Sequence, residues 1–402
     1  MIPLTEAQDH VLARMPTQPV VEVPLGEAFG LVVAVDVASD ESVPGYDNTA
    51  VDGYAVRSSD VTAPGVELDV VGTIAAGSPV DHPVGAGEAV RVMTGAAIPP
   101  GADAVVMVER TARLDDGRRV RIEAGVEPGA AIRRVGEDVT AGDIVAAAGT
   151  VLGVGHIGLL ASVGVREVAV RRRVVVGVVS TGDELVDDGS PLRPGQVRDS
   201  NRPALLALCR SSGFEAVDLG LVRDDADRIE AVLRSGAQRC DALLTSGGVS
   251  MGDHDLVKAV LARIGADMRW MQIAIRPAKP FAFGLVESTP VFGLPGNTVS
   301  SLVSFELLAR PALLHAAGRT SIHRRRIRAV AAEPFRRTAD GKTHFVRVRV
   351  DQDRDLGFLA RSAGRQGSHQ MTALAAADGL AVLHDGDGVD VGGALEVVLL
   401  DG

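Results

Sequence analysis

The sequence predicts a multidomain α/β plus β protein: a doubly wound α/β domain with a mainly β region before it and a small β domain after it. Three observations carry this expectation. Apolar strand-like runs alternate with helical patterns from Val174 to Pro311. Upstream, short strands are separated by Gly/Pro/Asp turns, with no strong helix between them. Alternating β patterns return after Pro311.

Taken in order, Thr5-Glu6-Ala7-Gln8 has the capping-box pattern of an amphipathic helix, and no basic start or cleavage site marks a signal peptide. Val66–Ile74, Ala89–Met93 and Ala104–Val108 read as strands. Val174–Ser180 is a β-branched run suited to a strand buried on both faces, and it ends in Thr181-Gly182-Asp183-Glu184. Helices are expected over Pro203–Arg210, with Ser200 and Asn201 as cap candidates, and over Ala226–Ser235, where Ile229, Val232 and Leu233 share a face. The run Ala242–Leu244 leads through Thr245-Ser246-Gly247-Gly248-Val249-Ser250 into the helical pattern Leu256–Ile264. Val291–Leu294 ends in Pro295-Gly296-Asn297, followed by a helix over Ser301–Ala309 that Pro311 is expected to stop. In the last region Val346, Val348 and Val350 alternate with Phe345, Arg347 and Arg349, and Leu395–Leu400 is a further strand.

Composition narrows the function classes. Hydrophobic residues make up 46% and charged residues 23% of the 402, as in a soluble globular protein of several domains. A net charge of −11 and a pI near 5.3 argue against nucleic acid as a partner. The short basic runs Arg171–Arg173 and Arg324–Arg326 flank apolar runs and read as solvated junctions. No apolar stretch is long enough to span a bilayer. Cys209 and Cys240 lack metal-type spacing and read as buried thiols of a reducing cytoplasm.

The loop at 245–255 places backbone N–H groups and a helix start where an anion can lie against them. Gly247 and Gly248 permit close approach, while Asp253 and Asp255 could hold a divalent cation beside a phosphate. Alone, the pair of glycines could be only a tight connection. The loops after Ser180 and Leu294 leave the same carboxyl ends of a parallel sheet, where ligands bind, so the three form one candidate site. Two other segments stay ambiguous. Pro44–Ala55 holds both tyrosines of the chain, and its composition favours a structured loop of Asx turns. Arg133–Asp138 is either a set of ion pairs at a bend or charge delivered to a cleft.

These segments, together with Met93-Thr94-Gly95-Ala96, Arg198-Asp199-Ser200-Asn201 and Arg276-Pro277-Ala278-Lys279, resemble in order the molybdopterin molybdenumtransferases, which include the MoeA-type proteins and the gephyrin E domain. The resemblance covers nearly the whole chain. It implies an elongated homodimer of four-domain subunits: residues 1–42 with 139–172, an inserted mainly β domain at 43–138, the molybdopterin-binding α/β domain at 173–320, and a β-barrel at 321–402. The implied reaction converts adenylylated molybdopterin and molybdate, with Mg2+, into molybdenum cofactor and AMP.

The resemblance also assigns residues. Asp52, Asp138, Glu184, Asp224 and Asp255 are the catalytic carboxylates, with Asp52, Glu184 and Asp255 as metal ligands. Thr94, Thr181, Gly182, Asp183, Ser246, Gly247, Gly248, Val249, Ser250, Arg276, Lys279, Pro295, Gly296, Asn297 and Ser368 line the substrate. The loops of Asp52, Asp138 and Thr94 are expected from the partner subunit, so that active sites are shared. His254 and His369 read as structural polar residues. Arg276 and Ala278 stand where the family has Lys-Pro-Gly-Lys, Thr298 replaces a proline, and Val51 a methionine. A molybdopterin adenylyltransferase is possible as a partner, as are molybdoenzyme maturation proteins. The alternative functions are a molybdopterin adenylyltransferase-like enzyme, disfavoured by the Asp-Gly-Tyr module, and a non-catalytic scaffold, disfavoured by the retained carboxylates.

Overall fold

The computed structural model describes residues 1–247, 256–355 and 357–400. They form two compact units, one of 1–21, 30–34 and 170–402, the other of 22–29 and 35–169.

The second unit is built on a six-stranded sheet in the order Ala104–Met107, Gly53–Val56, Glu88–Val92, Val66–Ile74, Arg119–Ile122, Thr111–Leu114. Only the Val66–Ile74 and Glu88–Val92 pair is parallel. Tyr54, Val56, Leu68, Val106, Val120 and Ile122 pack on one side, and Ala55, Val90, Val92 and Val105 on the other. Residues alternate between the two cores because successive strand side chains point to opposite faces. At Gly53 a Cβ would stand 2.3 Å from the Val106 carbonyl oxygen, so the neighbouring strand can approach only a glycine.

In the first unit a six-stranded sheet runs Glu215–Val222, Val175–Thr181, Ala242–Ser246, Thr289–Leu294, Pro280–Val286, Asp267–Gln272. The first four strands are parallel. The last two form an antiparallel edge that the sequence pattern did not announce. Helices cover both faces. Val176, Val178, Leu244 and Phe292 pack with Leu205 and Cys209 of the Asn201–Ser211 helix, whereas Val179, Leu243 and Val291 pack with Ile229 and Leu233 of Ala226–Arg239 and Val260 of Leu256–Arg263. Both cysteines are buried and free, and burial pushes the Cys209 thiol up to about 12.

Several local expectations fail for physical reasons. The first helix, Leu4–Leu12, is entered from Pro3 with no side-chain cap, so the Thr5–Gln8 capping box does not form. Nor does the side chain of Ser200 or Asn201 cap the Asn201–Ser211 helix: the Asp199 carboxylate accepts the Arg202 N–H instead, at 3.1 Å. Pro311 does not stop its helix. Thr298–Ser304 continues through a π turn over Phe305–Ala309 into Arg310–Ala316, and the wide turn absorbs the donor that proline lacks. The basic runs are tied down. Arg172 bonds the Asp241 carboxylate and Arg173 the Gly213 carbonyl, while Arg324 grips buried Glu306 with two nitrogens at 2.9 and 3.0 Å.

After the α/β sheet, Thr343–Asp353, Gly357–Ser362, Arg326–Ala331, Ala394–Leu399 and Gly379–Leu383 close into a barrel, because the first and last also pair. Val348, Ala360, Ala381, Leu395 and Val397 fill it. Phe345, Leu380, Val382 and Val398 point the other way, into the α/β core.

Candidate functional site

The three strand ends of the α/β domain coincide. Ser180 is opposite Ser246, and Ser246 opposite Leu294, so Thr181, Gly247 and Pro295 begin their loops side by side. The Gly247 N–H donates to the Leu294 carbonyl at 3.1 Å, and a Cβ at Gly247 would lie 3.4 Å from the Thr181 carbonyl oxygen. Gly247 has φ +93°, the region that favours glycine. A Cβ at Gly296 would lie 4.0 Å from the Gly247 Cα. Asn201 reaches across this junction, its Nδ2 donating to Ser246 Oγ at 2.6 Å and to the Gly296 carbonyl at 2.8 Å. Asn297 precedes the first residue of the Thr298–Ser304 helix.

Carboxylates cluster at the Thr181 end. The Glu184 Oε2 fills the space that a Cβ at Gly182 would need, 2.6 Å away. Asp183 and Asp224 face each other reciprocally: the Asp183 N–H donates to Asp224 Oδ2 at 3.4 Å and the Asp224 N–H to Asp183 Oδ1 at 3.3 Å. The Arg223 guanidinium donates to the Asp183 carbonyl at 3.0 Å, 3.9 Å from its carboxylate. No three His, Cys, Asp or Glu side chains among the described residues form a metal-holding group. Magnesium is held by one or two carboxylates together with phosphate oxygens and water, so oxygen donors such as Glu184 fit a cation shared with a bound phosphate.

Arg276 lies just ahead of the Pro280–Val286 strand, whose Ala282 is opposite Gly293. It pairs with His344 in a short parallel bridge and lines a cleft of about 550 Å³ with Phe335, Arg337, Asp340, Ser362 and Gln366. The cleft's other arginines are engaged, Arg336 with Asp390 at 2.7 Å and Arg337 with Asp340 and Asp385 at 2.9 and 2.7 Å. Arg276 has no ion pair among the described residues and is exposed. Burial lowers the His344 pKa, and the neighbouring cations Arg337 and Arg276 lower it further. Lys279 does not line this cleft; it is exposed, and its carbonyl accepts the Ile273 N–H at 2.8 Å. Ser368 meets the strand-end junction through its backbone, its carbonyl accepting the Val299 N–H at 3.3 Å.

Arg347 is a cation whose position the sequence pattern did not reveal. It is fully buried, and its Nη2 donates to the Arg365 and Gly367 carbonyls at 3.0 and 3.2 Å. Its Nε and Nη1 have no partner among the described residues. The alternation of Phe345, Arg347 and Arg349 with valines does not by itself say which face is covered. Phe345 packs into the α/β core and Arg347 beside it is buried, whereas Arg349 further along the strand is exposed.

In the other unit, three motif segments converge. Asn48–Thr49 pairs with Ile132–Arg133, the Thr49 carbonyl accepts the Gly95 N–H at 2.9 Å, and Asp47 binds Arg134 Nη1 at 2.6 Å. The charged bend is therefore an ion-paired one. Asp52 is exposed, and its Oδ1 accepts both the N–H and the hydroxyl of Thr94 at 2.7 Å. Those two bonds hold the Asp52 carboxyl below its usual range. Asp138 is exposed and fixed through its N–H to the Val43 carbonyl at 2.9 Å. Gly248, Val249, Ser250, Asp253, His254 and Asp255 lie outside the described residues.

Comparison with known proteins covers almost the whole chain. Residues 2–164 match the MoeA N-terminal region (domains I and II), 177–315 a probable molybdopterin binding domain, and 328–400 the MoeA C-terminal region (domain IV). A molybdopterin molybdenumtransferase of Haemophilus influenzae is 39% identical over 375 residues, covering 93% of this chain and 92% of that protein. One from Staphylococcus aureus is 32% identical over 405 residues, covering 100% and 96%. A crystal structure of a molybdopterin biosynthesis MoeA protein from Pyrococcus horikoshii matches all of both chains at 32% identity with a TM-score of 0.81.

Proposed function

Because this chain belongs to the MoeA family of molybdopterin molybdenumtransferases, we propose that it inserts molybdenum from molybdate into adenylylated molybdopterin, releasing AMP, in molybdenum cofactor biosynthesis. The observation that carries this reading is the register of Ser180, Ser246 and Leu294, which gathers Thr181–Glu184, Ser246–Gly247 and Pro295–Asn297 at the carboxyl ends of neighbouring parallel strands.

The substrate is a long anion, and the residues divide its needs. The phosphates go to the glycine loop that begins at Gly247, as the family resemblance assigns them, and Thr181, Gly182, Pro295, Gly296 and Asn297 flank them. Magnesium, when bound, offsets phosphate charge, with Glu184, Asp52 and Asp255 as its carboxylate ligands. Asp138 and Asp224 position the water that cleaves the phosphoanhydride, and Asp183 lines the substrate beside them. Carboxylates repel molybdate, so its recognition falls to cations: Arg276 and Lys279, with Ser368 as a neutral donor and Arg347 holding the Ser368 loop.

The reading includes a homodimer with shared sites, the fourfold domain division stated above, and a cytoplasmic setting. Support for association comes from the Val154–Ser162 helix, which is largely apolar yet buries only Leu160. In the same unit Val154 is 78%, Phe29 58% and Ile144 53% exposed. Among the described residues no helix is long and apolar enough to cross a membrane. Incubation with adenylylated molybdopterin, molybdate and magnesium tests the activity. AMP release that requires magnesium supports it, and an intact substrate after prolonged incubation rejects it.

A further inference from the structure

The Asp199-Ser200-Asn201 segment has no assigned role, yet each residue reaches a different part of the strand-end junction. Asp199, whose side chain is 1% exposed, accepts the Ser180 hydroxyl at 3.1 Å, one residue before Thr181. Ser200 Oγ meets Thr298 Oγ1 at 2.9 Å, immediately after Pro295-Gly296-Asn297. Asn201, 7% exposed, donates from one amide nitrogen to Ser246 Oγ and to the Gly296 carbonyl. Three loops that leave separate strands are thus tied to three consecutive residues at the start of one helix.

We propose that Asp199, Ser200 and Asn201 are positioning residues that hold the three loops in the spacing the pterin nucleotide needs, with Asn201 as the central tie. This rests on the reading of the strand ends as that nucleotide's site. None of the three has to touch substrate. A buried amide that joins a hydroxyl to a carbonyl fixes both loops at once, and its loss frees each to move independently. The Ser200–Thr298 hydroxyl pair adds a second tie to the Pro295–Asn297 loop, and Asp199, through Ser180, holds the third. Thr298 is the first residue of its helix, where the N–H has no intrahelical acceptor, and Asn297 before it is extended at φ −65°, ψ 122°. Proline is compatible with that position and would fix the loop covalently.

Two arms test the proposal. In the first, Asn201→Ala and Asn201→Asp are compared with wild type by steady-state AMP release and by amide exchange over 243–247 and 293–300. Asn201→Asp keeps the size but sets an oxygen against the Gly296 carbonyl. Both variants are expected to raise KM for adenylylated molybdopterin by about tenfold, with kcat changed far less, and to speed exchange in both segments more than elsewhere in the α/β sheet. In the second arm, Ser200→Ala is expected to raise KM several-fold in wild type and to add nothing once Thr298→Pro is present. Unchanged exchange and KM in folded Asn201 variants overturn the clamp, as does an undiminished Ser200→Ala effect in the Thr298→Pro background. Wild type that releases no AMP overturns the proposed activity instead, and the exchange arm still decides whether the segment ties the loops.

Discussion

Arg276→Ala is expected to weaken molybdate use by about tenfold while leaving nucleotide binding nearly unchanged. Of the arginines lining the 550 Å³ cleft, Arg336 and Arg337 are already tied to carboxylates, and Arg276 alone among those described lacks an ion pair. A hydrogen bond to a charged group contributes about 1.5–3 kcal/mol, and about 1.4 kcal/mol corresponds to a factor of ten. The side chain is exposed, so solvent screening places the loss at the lower end of that range. Arg276→Lys should retain much of the activity, since an ammonium supplies the same charge without the planar fork. The assay is AMP release against molybdate concentration at fixed adenylylated molybdopterin, with nucleotide binding measured separately. Loss of nucleotide binding with an unchanged molybdate dependence would show that the two anions had been assigned to the wrong ends of the site.

Asp52→Asn and Glu184→Gln should each suppress AMP release at limiting magnesium without altering the circular dichroism spectrum; full activity there would remove both from the metal site. Mixing Asp52→Ala with Asp255→Ala subunits should restore part of the activity, because one site of each mixed dimer keeps both carboxylates, whereas mixed dimers that stay inactive argue against shared sites. Cys209, its thiol pushed up to about 12 by burial, should resist a maleimide at pH 8 in the folded protein and react on denaturation. Its rapid labelling in native protein, located by mass spectrometry, would contradict the buried placement.

Much of this architecture was legible because strong periodicity reports burial. The β-branched run at Val174–Ser180 and the runs at Ala242–Leu244 and Val291–Leu294 are strands covered on both faces, and their register brings the polar loops together. The antiparallel edge of Asp267–Gln272 and Pro280–Val286 was not legible: the first is only half-buried and carries a weak pattern, and the buried run of the second does not reveal its strand direction. Pro311 misled because a π turn upstream of it cannot be read from residue types. At the candidate site, motif spacing located Asp52, Glu184 and Gly247 as polar loop residues. The Asp52–Thr94 bonds, the burial of Arg347 and the reach of Asn201 depend on distant packing, which local sequence does not encode.

The most direct test of the central claim is molybdenum content in the pterin product, measured beside AMP after reaction of the wild-type chain with adenylylated molybdopterin, molybdate and magnesium. The account predicts that molybdenum-bearing cofactor accumulates in step with AMP, that both fall when molybdate is omitted, and that the product reconstitutes a cofactor-free molybdoenzyme. AMP release with no molybdenum incorporated, or consumption of ATP to make the adenylylated pterin, would contradict it.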